Sequence, residues 1–381
     1  MKARTSDRAS YTDDDRTLPQ VWVLQGHRTG DNLQVQALAD GLGWPWASKT
    51  LEWQKRLPRW TPLYGRSAHL NHLTPKARGA FAPPWPDLVL SIGWRSVPVT
   101  RWIKSQCNAR LVHLGRPRAP LAPFDLVLTT PQYRLPDSPN VVQLSGPLTA
   151  MSPDMLTASA AAWAPQLADL PGPWTAVLVG GDTPTLRFPS EAADVLAAAC
   201  NRHAAQNQGA LLIATSPRTP ARVTEILRQS ITAPSFFHVW HKDADNPYAA
   251  FLKLADQFIV TNDSISMTQE AALTGRPLHI FPLTSQDRWR DSAMRSLDGK
   301  LRRGDSAIAR VYLRMIREGV LYPPKSPSDY FQALLRDGRA AMLGKPGARG
   351  QNVPVLPETE AAVQAVRALF ETTHATQTGN T

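Results

Sequence analysis

The sequence predicts an α/β protein made of two Rossmann-like domains facing each other across a cleft. Three observations carry this expectation. Short apolar runs alternate with segments whose apolar residues recur at helical spacing, an alternation that implies parallel strands joined by right-handed crossovers. The pattern runs once before and once after a proline-containing interval, Pro147–Pro173, where a domain boundary is placed. At 381 residues the chain is about twice the common domain size, and 43% hydrophobic residues are enough for two cores.

A polar leader, residues 1–19, is expected to be disordered. Val21–Leu24 then reads as a buried strand ending in the loop Gly26–Asp31, with Leu33, Ala37, Leu38 and Leu42 on the following helix. Further strands are expected at Ala47–Trp53, Asp87–Ile92, Arg110–Leu114 and Leu126–Thr129, with a helix over Val97–Gln106. This first domain covers 20–147, and 148–173 is read as a linker. The pattern restarts over 174–320: strand Ala176–Val179, helix Glu191–Ala205, strand Ala210–Ala214, helix Arg222–Arg228 and strands Phe236–Trp240, Phe258–Thr261 and Leu278–Phe281. Ser306–Glu318 has amphipathic spacing. Residues 321–381 are read as C-terminal helices, Ser328–Leu343 and Pro357–Phe370, and a frayed tail.

Lys and Arg number 42 against 31 Asp and Glu, a formal charge of +11, which favours an anionic partner without choosing one. Two cysteines, Cys107 and Cys200, exclude a disulfide framework and a four-cysteine metal site and favour a reducing compartment. The first 20 residues lack a signal-peptide apolar region, and no run approaches the ~18 apolar residues of a membrane span. The expectation is a cytoplasmic protein, with peripheral contact at the inner face of a membrane. Trp44, Trp46, Trp53 and Trp60 interleaved with Lys55, Arg56, Arg59 and Arg66 suit an anionic membrane surface. The competing reading is packed aromatics under solvated charges. No RRM, KH or OB pattern accompanies them, so nucleic acid is not expected.

The strongest chemical signal lies in Asp256–Pro277. A buried strand delivers the chain to Asp263, Ser264 is an N-cap, and Gly275 and Pro277 stop the helix. Ser264, Ser266 and Glu270 therefore sit near a helix N-terminus, an anion-binding end, with Glu270 placed to accept from ribose hydroxyls. The plainer alternative is that Ser264 only caps and Glu270 is solvated. If the sheet is parallel, Gly180-Gly181-Asp182 and Ser216-Pro217-Arg218 reach the same edge. The glycines would let a phosphate approach the backbone, and Arg218 would supply a guanidinium to it. Asn246 and Tyr248 lie at the next strand end, in reach of a base or sugar.

In the first half, His27, Arg28 and Asp31 share one short loop. His27 or Asp31 is the candidate for taking a proton from an acceptor hydroxyl, and Asp31 is equally a candidate N-cap. Arg28, Arg95 and Arg116, on corresponding loops, would bind an acidic acceptor. No G-x-G-x-x-G follows the first strand, and Walker, G-x-S-x-G and H-E-x-x-H motifs are absent, which weighs against nicotinamide, P-loop, serine-hydrolase and zincin chemistry. Asp243-Ala244-Asp245 is read as a solvated loop. No metal or cofactor is expected.

Taken in order, the blocks WVLQGHRTGDNLQVQALADGLG, PDLVLSIGWRS, LVGGDT, SPRTP, NPY and DQFIVTNDSISMTQEAALTGRPLHIFPL resemble the elongated-mitochondria family of mitochondrial fission proteins and its bacterial relatives labelled glycosyltransferases. The resemblance spans residues 20–320. It implies a glycosyltransferase-B-like architecture without an essential metal, the second domain binding a nucleotide-sugar as substrate and the first an acceptor. It carries over Ser264, Ser266 and Glu270 as donor contacts and Arg218 as a phosphate contact. It also supports a second class, because plant members act as adaptors that recruit a dynamin-like protein to a membrane. A nucleotide-sugar 2-epimerase shares the architecture. The reading that follows is transfer of a sugar from a nucleotide-diphosphate donor to a hydroxyl, such as that of a lipid-linked or cell-envelope glycan.

Overall fold

The structure, a computed structural model, describes residues 18–54, 64–242, 244–286, 289–302, 306–345 and 358–377. The leader up to residue 17, Lys55, Arg56, Arg59, Trp60 and Asp243 lie outside the described residues.

The first half holds β1 (Val21–Gln25), α1 (Thr29–Leu42), β2 (Trp46–Thr50), α2 (Pro75–Gly79), β3 (Leu88–Ile92), α3 (Val97–Gln106), β4 (Arg110–Leu114), β5 (Leu126–Thr129) and β6 (Val141–Gln143). They form a parallel sheet in the order β2-β1-β3-β4-β5-β6. Unbroken apolar runs such as Val21–Leu24 are buried along their length, as expected where helices cover both faces. Gly43 ends α1 in the left-handed conformation, φ 67°, which glycine adopts without a Cβ penalty.

After α4 (Pro153–Leu167) the second half contributes β7 (Trp174–Val179), β8 (Leu186–Arg187), α5 (Ser190–Asn207), β9 (Ala210–Thr215), α6 (Ala221–Ser230) and β10 (Ser235–His238). It continues with α7 (Tyr248–Leu254), β11 (Gln257–Thr261), α8 (Ile265–Leu273), β12 (Leu278–Phe281) and β13 (Thr284–Ser285). The remaining elements are α9 (Trp289–Arg302), α10 (Ala307–Arg317), α11 (Pro327–Arg336), β14 (Ala341–Met342) and α12 (Glu358–Gln377). The second sheet has the order β10-β9-β7-β11-β12-β14, again parallel, and β8 and β13 form a separate antiparallel pair. The predicted fold class, α/β with two facing Rossmann-like units, is what the chain adopts.

Several expected elements shift. The second strand stops at Thr50 rather than Trp53, because Leu51 turns into the core and Trp53 makes only an isolated bridge to Leu73. The interval read as a linker contains the 15-residue α4, capped by Ser152 with Pro153 at its first position. Its Leu167 is fully buried in the second core. The helix expected over Ser328–Leu343 ends at Arg336, and after Gly338, φ 69°, the chain adds β14 to the second sheet.

The largest departure concerns which core each segment joins. α10, placed by the sequence in the second domain, buries Ile316 in the first core, and Leu121 donates its amide to the Arg317 carbonyl at 2.9 Å. α11 then returns Tyr330, Phe331 and Leu334 to the second core. α12 goes back to the first, packing Ala362, Val363 and Val366 against Val35 and Leu38 of α1. A buried ionic cluster ties these crossings. Asp298 on α9, 1% exposed, accepts from Arg134 (2.6 Å), Arg302 (2.7 Å) and Tyr312 (2.6 Å), while Arg134 also pairs with Asp329 on α11 at 2.5 Å.

Candidate functional site

In an open parallel sheet the loops at the strand carboxyl ends beside the point where strand order reverses form a natural crevice. In the first sheet that point lies between β1 and β3, and in the second between β7 and β11. The loops there are Gly26–Arg28, Gly93–Ser96, Gly180–Asp182 and Asn262–Ser264, the same loops the sequence marks out.

In the first half the side chain of Asn32 locks the loop after β1: its Oδ1 accepts from the Gly26 amide and its Nδ2 donates to the Gly26 carbonyl, both at 2.9 Å. α1 begins at Thr29, so Asp31 sits in its first turn and is not its N-cap. Gly93, φ 75°, turns the next loop, and the Ser96 hydroxyl donates to the carbonyls of Ile92 (3.1 Å) and Gly93 (2.8 Å). Gly115, φ 85°, lies against Tyr133, whose ring would stand 3.1 Å from any Cβ there. These loops enclose a cavity of about 1040 Å3. His27, Arg28, Asp31, Arg95 and Arg116 all line it, with Trp94 and Ser96 of the same expected loop, as do three residues that no sequence signal marks: Arg118, Tyr133 and Lys325. Lys325 arrives from 200 residues downstream, which no local pattern signals.

Arg116 is buried and donates to the carbonyls of Pro323 and Tyr133, so its guanidinium is anchored to backbone where an open acceptor contact was expected. Burial, with Arg118 beside it, pushes Arg116 down to about 10. Lys325 is open to solvent at the cavity mouth, yet the surrounding protein and the Arg116 charge push its ammonium down to about 8.

A narrower recess of about 150 Å3 continues from this cavity, sharing Ile92, Leu114 and Tyr133 with it and reaching Ile265 and Ser266 in the first turn of α8. Ser264 caps α8 through the Met267 amide at 3.4 Å, and Ser266 is exposed. The second half therefore presents a helix N-terminus to the cationic edge of the first.

The other second-half candidates are largely engaged with each other. A Cβ on Gly180 would overlap the Asp263 carboxylate, and one on Gly181 the Arg218 carbonyl. The glycine pair thus serves loop packing, a correction to the expectation of phosphate approaching this backbone. Asp263 is buried and accepts from the Gly181 amide (2.9 Å), the Thr261 hydroxyl (2.7 Å) and Arg218 (2.9 Å). Burial pushes its carboxyl upward, and those three partners oppose the shift. Arg218 spends one nitrogen on Asp263 and remains half-exposed. Asp182 holds the Phe188 amide (2.8 Å) and Arg187 (3.0 Å), and Ser216 closes its own turn with Thr219. Asn246 Oδ1 accepts the Tyr248 amide at 3.0 Å, an Asx turn.

Glu270 is the clearest revision. Expected as a carboxylate open to ribose, it accepts the Tyr248 hydroxyl and, at 3.5 Å, that of Thr149. Burial pushes its carboxyl above the usual range, against those two hydrogen bonds. In the tryptophan segment, Trp44 packs on Phe370 of α12 (5.0 Å between ring centroids), Trp53 lies under Arg95, and Arg66 donates to the Glu318 carbonyl. Among the described residues no group of three or more His, Cys, Asp or Glu side chains is placed to hold a metal ion.

The family model described as "Mitochondrial fission ELM1" matches residues 29–302. An uncharacterized protein of Rickettsia prowazekii is 25% identical over 303 residues, 68% of this chain and 82% of that protein. Mitochondrial fission protein ELM1 of Arabidopsis thaliana is 26% identical over 228 residues, 54% of this chain and 53% of that protein, so the chain spans about half of that relative. Solved structures with similar folds include UDP-GlcNAc 2-epimerase of Methanocaldococcus jannaschii, at a TM-score of 0.46 and 11% identity, covering 92% of this chain and 99% of that one. MurG of Acinetobacter baumannii has a TM-score of 0.43 at 12% identity, covering 92% and 100%. The family match begins just after the Gly26–Arg28 loop and takes in the Gly93–Ser96 loop of the first switch point and both loops of the second, and the chain belongs to the mitochondrial fission ELM1 family.

Proposed function

We propose that the chain transfers a sugar from a nucleotide-diphosphate donor to a hydroxyl of an acceptor. The observation that supports this most is the confrontation of the two switch points: α8 offers its N-terminus on one side of a continuous cleft, and five basic side chains line the other. A departing diphosphate would lie against that helix N-terminus, whose N–H groups are aimed at charge that grows as the glycosidic bond breaks, with the acceptor on the cationic side. Arg218, the expected phosphate contact, keeps the N–H groups that Asp263 leaves open, and Ser266 lines the recess at the same helix end. Among the described residues Asp31 is the sole carboxylate lining the large cavity and His27 its sole imidazole, so the general base is drawn from these two. No metal enters this scheme. The test is a thermal-stability screen against nucleoside diphosphates and their sugars. Ligands bound to the folded state raise the melting midpoint, and no shift from any diphosphate at millimolar concentration removes both the transferase and the epimerase readings.

A second reading has its own observation. Glu270, Tyr248, Asp263 and Arg218 satisfy one another, as in a site that no longer turns over, and this supports a non-enzymatic adaptor with a dynamin-like partner. Peripheral contact with an anionic membrane is compatible with either. Among the described residues no helix is long and apolar enough to cross a bilayer. Met294 and Leu297 on α9 and Ile308 and Val311 on α10 are exposed apolar side chains, with exposed Lys300 and Arg314 on the same helices, and they suit an anionic surface better than the partly packed tryptophans do.

A further inference from the structure

The large cavity carries more positive charge than its protein surroundings offset. Arg28, Arg95, Arg116, Arg118 and Lys325 line it, and among the described residues Asp31 is the single carboxylate on its walls. Among the described residues, none of these five cations has a carboxylate oxygen within 4.0 Å; the ion pairs present lie elsewhere. Their supports are neutral. Arg95 and Arg118 lie over the Trp94 ring, 5.9 and 5.7 Å from its centroid, Lys325 over Tyr133 at 4.4 Å, and Arg116 on two carbonyls. An aromatic face holds a guanidinium by its flat side and leaves the in-plane N–H groups for oxygen. Clustering like charges in an enclosed space costs stability unless an anion completes it, and planar forks matched to tetrahedral oxyanions are the usual phosphate-recognition chemistry. Arg116, Arg118 and Lys325 are each pushed toward the neutral form, by burial first, which is what an incomplete anion site imposes on its cations.

We propose that this cavity is a phosphate site and that the acceptor is a phosphate or diphosphate ester held there by Arg95, Arg118 and Lys325, with the anchored Arg116 adding its charge from behind and the ester's hydroxyl presented to Asp31 or His27. The acceptor assignment rests on the transferase reading; the phosphate site does not. The experiment is calorimetric titration of the full chain with inorganic pyrophosphate, alone and with saturating UDP or GDP, for wild type, Lys325→Gln, Arg118→Gln and Arg218→Gln. Pyrophosphate should bind wild type, more weakly as salt rises. Lys325→Gln and Arg118→Gln should each weaken it at least tenfold, Arg218→Gln less than twofold, and nucleotide should leave it bound. Both cavity variants should melt no lower than wild type without anion, since each removes a cation from an uncompensated set. Lys325→Gln alone decides if Arg118→Gln does not fold. Pyrophosphate binding that both cavity variants retain would overturn the site. Full displacement by nucleotide would assign the cavity to the donor diphosphate and overturn the acceptor proposal while keeping the transferase reading. Pyrophosphate binding at the cavity with no nucleotide binding would remove the transferase reading and keep the phosphate site.

Discussion

Replacing Glu270 tests whether its carboxylate belongs to the fold or to a ligand. Its two oxygens accept from Tyr248 and Thr149, and a hydrogen bond to a charged group contributes about 1.5–3 kcal/mol. Glu270→Ala loses the Tyr248 bond and leaves a buried phenol unpaired, a further cost of about 1–3 kcal/mol. Part of that is offset because a buried carboxylate no longer needs to be desolvated, so a net loss of about 2–3 kcal/mol in urea unfolding of the ligand-free protein is expected. Tyr248→Phe gives a pH signature. Burial already raises the Glu270 carboxyl above the usual carboxylate range, and removing the hydroxyl that stabilises its charged form raises it further. A carboxyl raised in the folded state contributes stability at low pH that is lost as pH rises through the folded value. Tyr248→Phe should therefore be more destabilised, relative to wild type, at pH 7.5 than at pH 5. An apo Glu270→Ala protein within about 0.5 kcal/mol of wild type, the range of surface substitutions, would refute this and return Glu270 to the ligand.

Asp298→Asn should cost about 1.5–3 kcal/mol, because it leaves Arg302 without its carboxylate and Arg134 with Asp329 alone, and the Arg134→Met, Asp298→Leu pair should recover part of that in a double-mutant cycle by chemical denaturation. Burial and neighbouring His203 push His279 down to about 4; a histidine kept neutral in the fold contributes stability that is full above pH 6.5 and lost as pH falls toward 4, so His279→Phe should flatten the acid limb of a melting-midpoint profile in that window. Sedimentation with anionic liposomes should fall on substituting Ile308 and Val311 by Ser, and in wild type as salt approaches about 0.5 M, where screening shortens to a few ångströms; binding indifferent to both would leave the α9–α10 face without a lipid role.

The architecture was legible because parallel strands buried on both faces write themselves as unbroken apolar runs, the loops after β1, β3 and β7 as glycine-bearing breaks, and the loop after β11 as the polar run Asn262–Ser264. That local signal found the switch points. It could not find what reaches them from afar. Lys325 lies in a proline-rich segment with no periodicity, and β6 and β14 are three and two residues long, below any detectable period. Nor does sequence say whether a polar residue in a loop waits for a ligand or is used by its neighbour: Glu270 and Arg218 looked open until Tyr248 and Asp263 were seen beside them.

The chain visits the first core, the second, the first with α10, the second with α11 and β14, and the first once more with α12. Neither half is therefore a contiguous stretch of sequence. A fragment ending near residue 173 would expose the apolar floor that α10 and α12 cover, and one beginning there would carry two helices with nowhere to dock. Proteolysis or domain shuffling cannot separate the halves as units, and swapping one against a relative's requires grafting three separate segments at once. The four crossings also act as seams. A body joined once swings freely, whereas one sewn at four points admits small shear, so substrates would enter this cleft through its standing mouth.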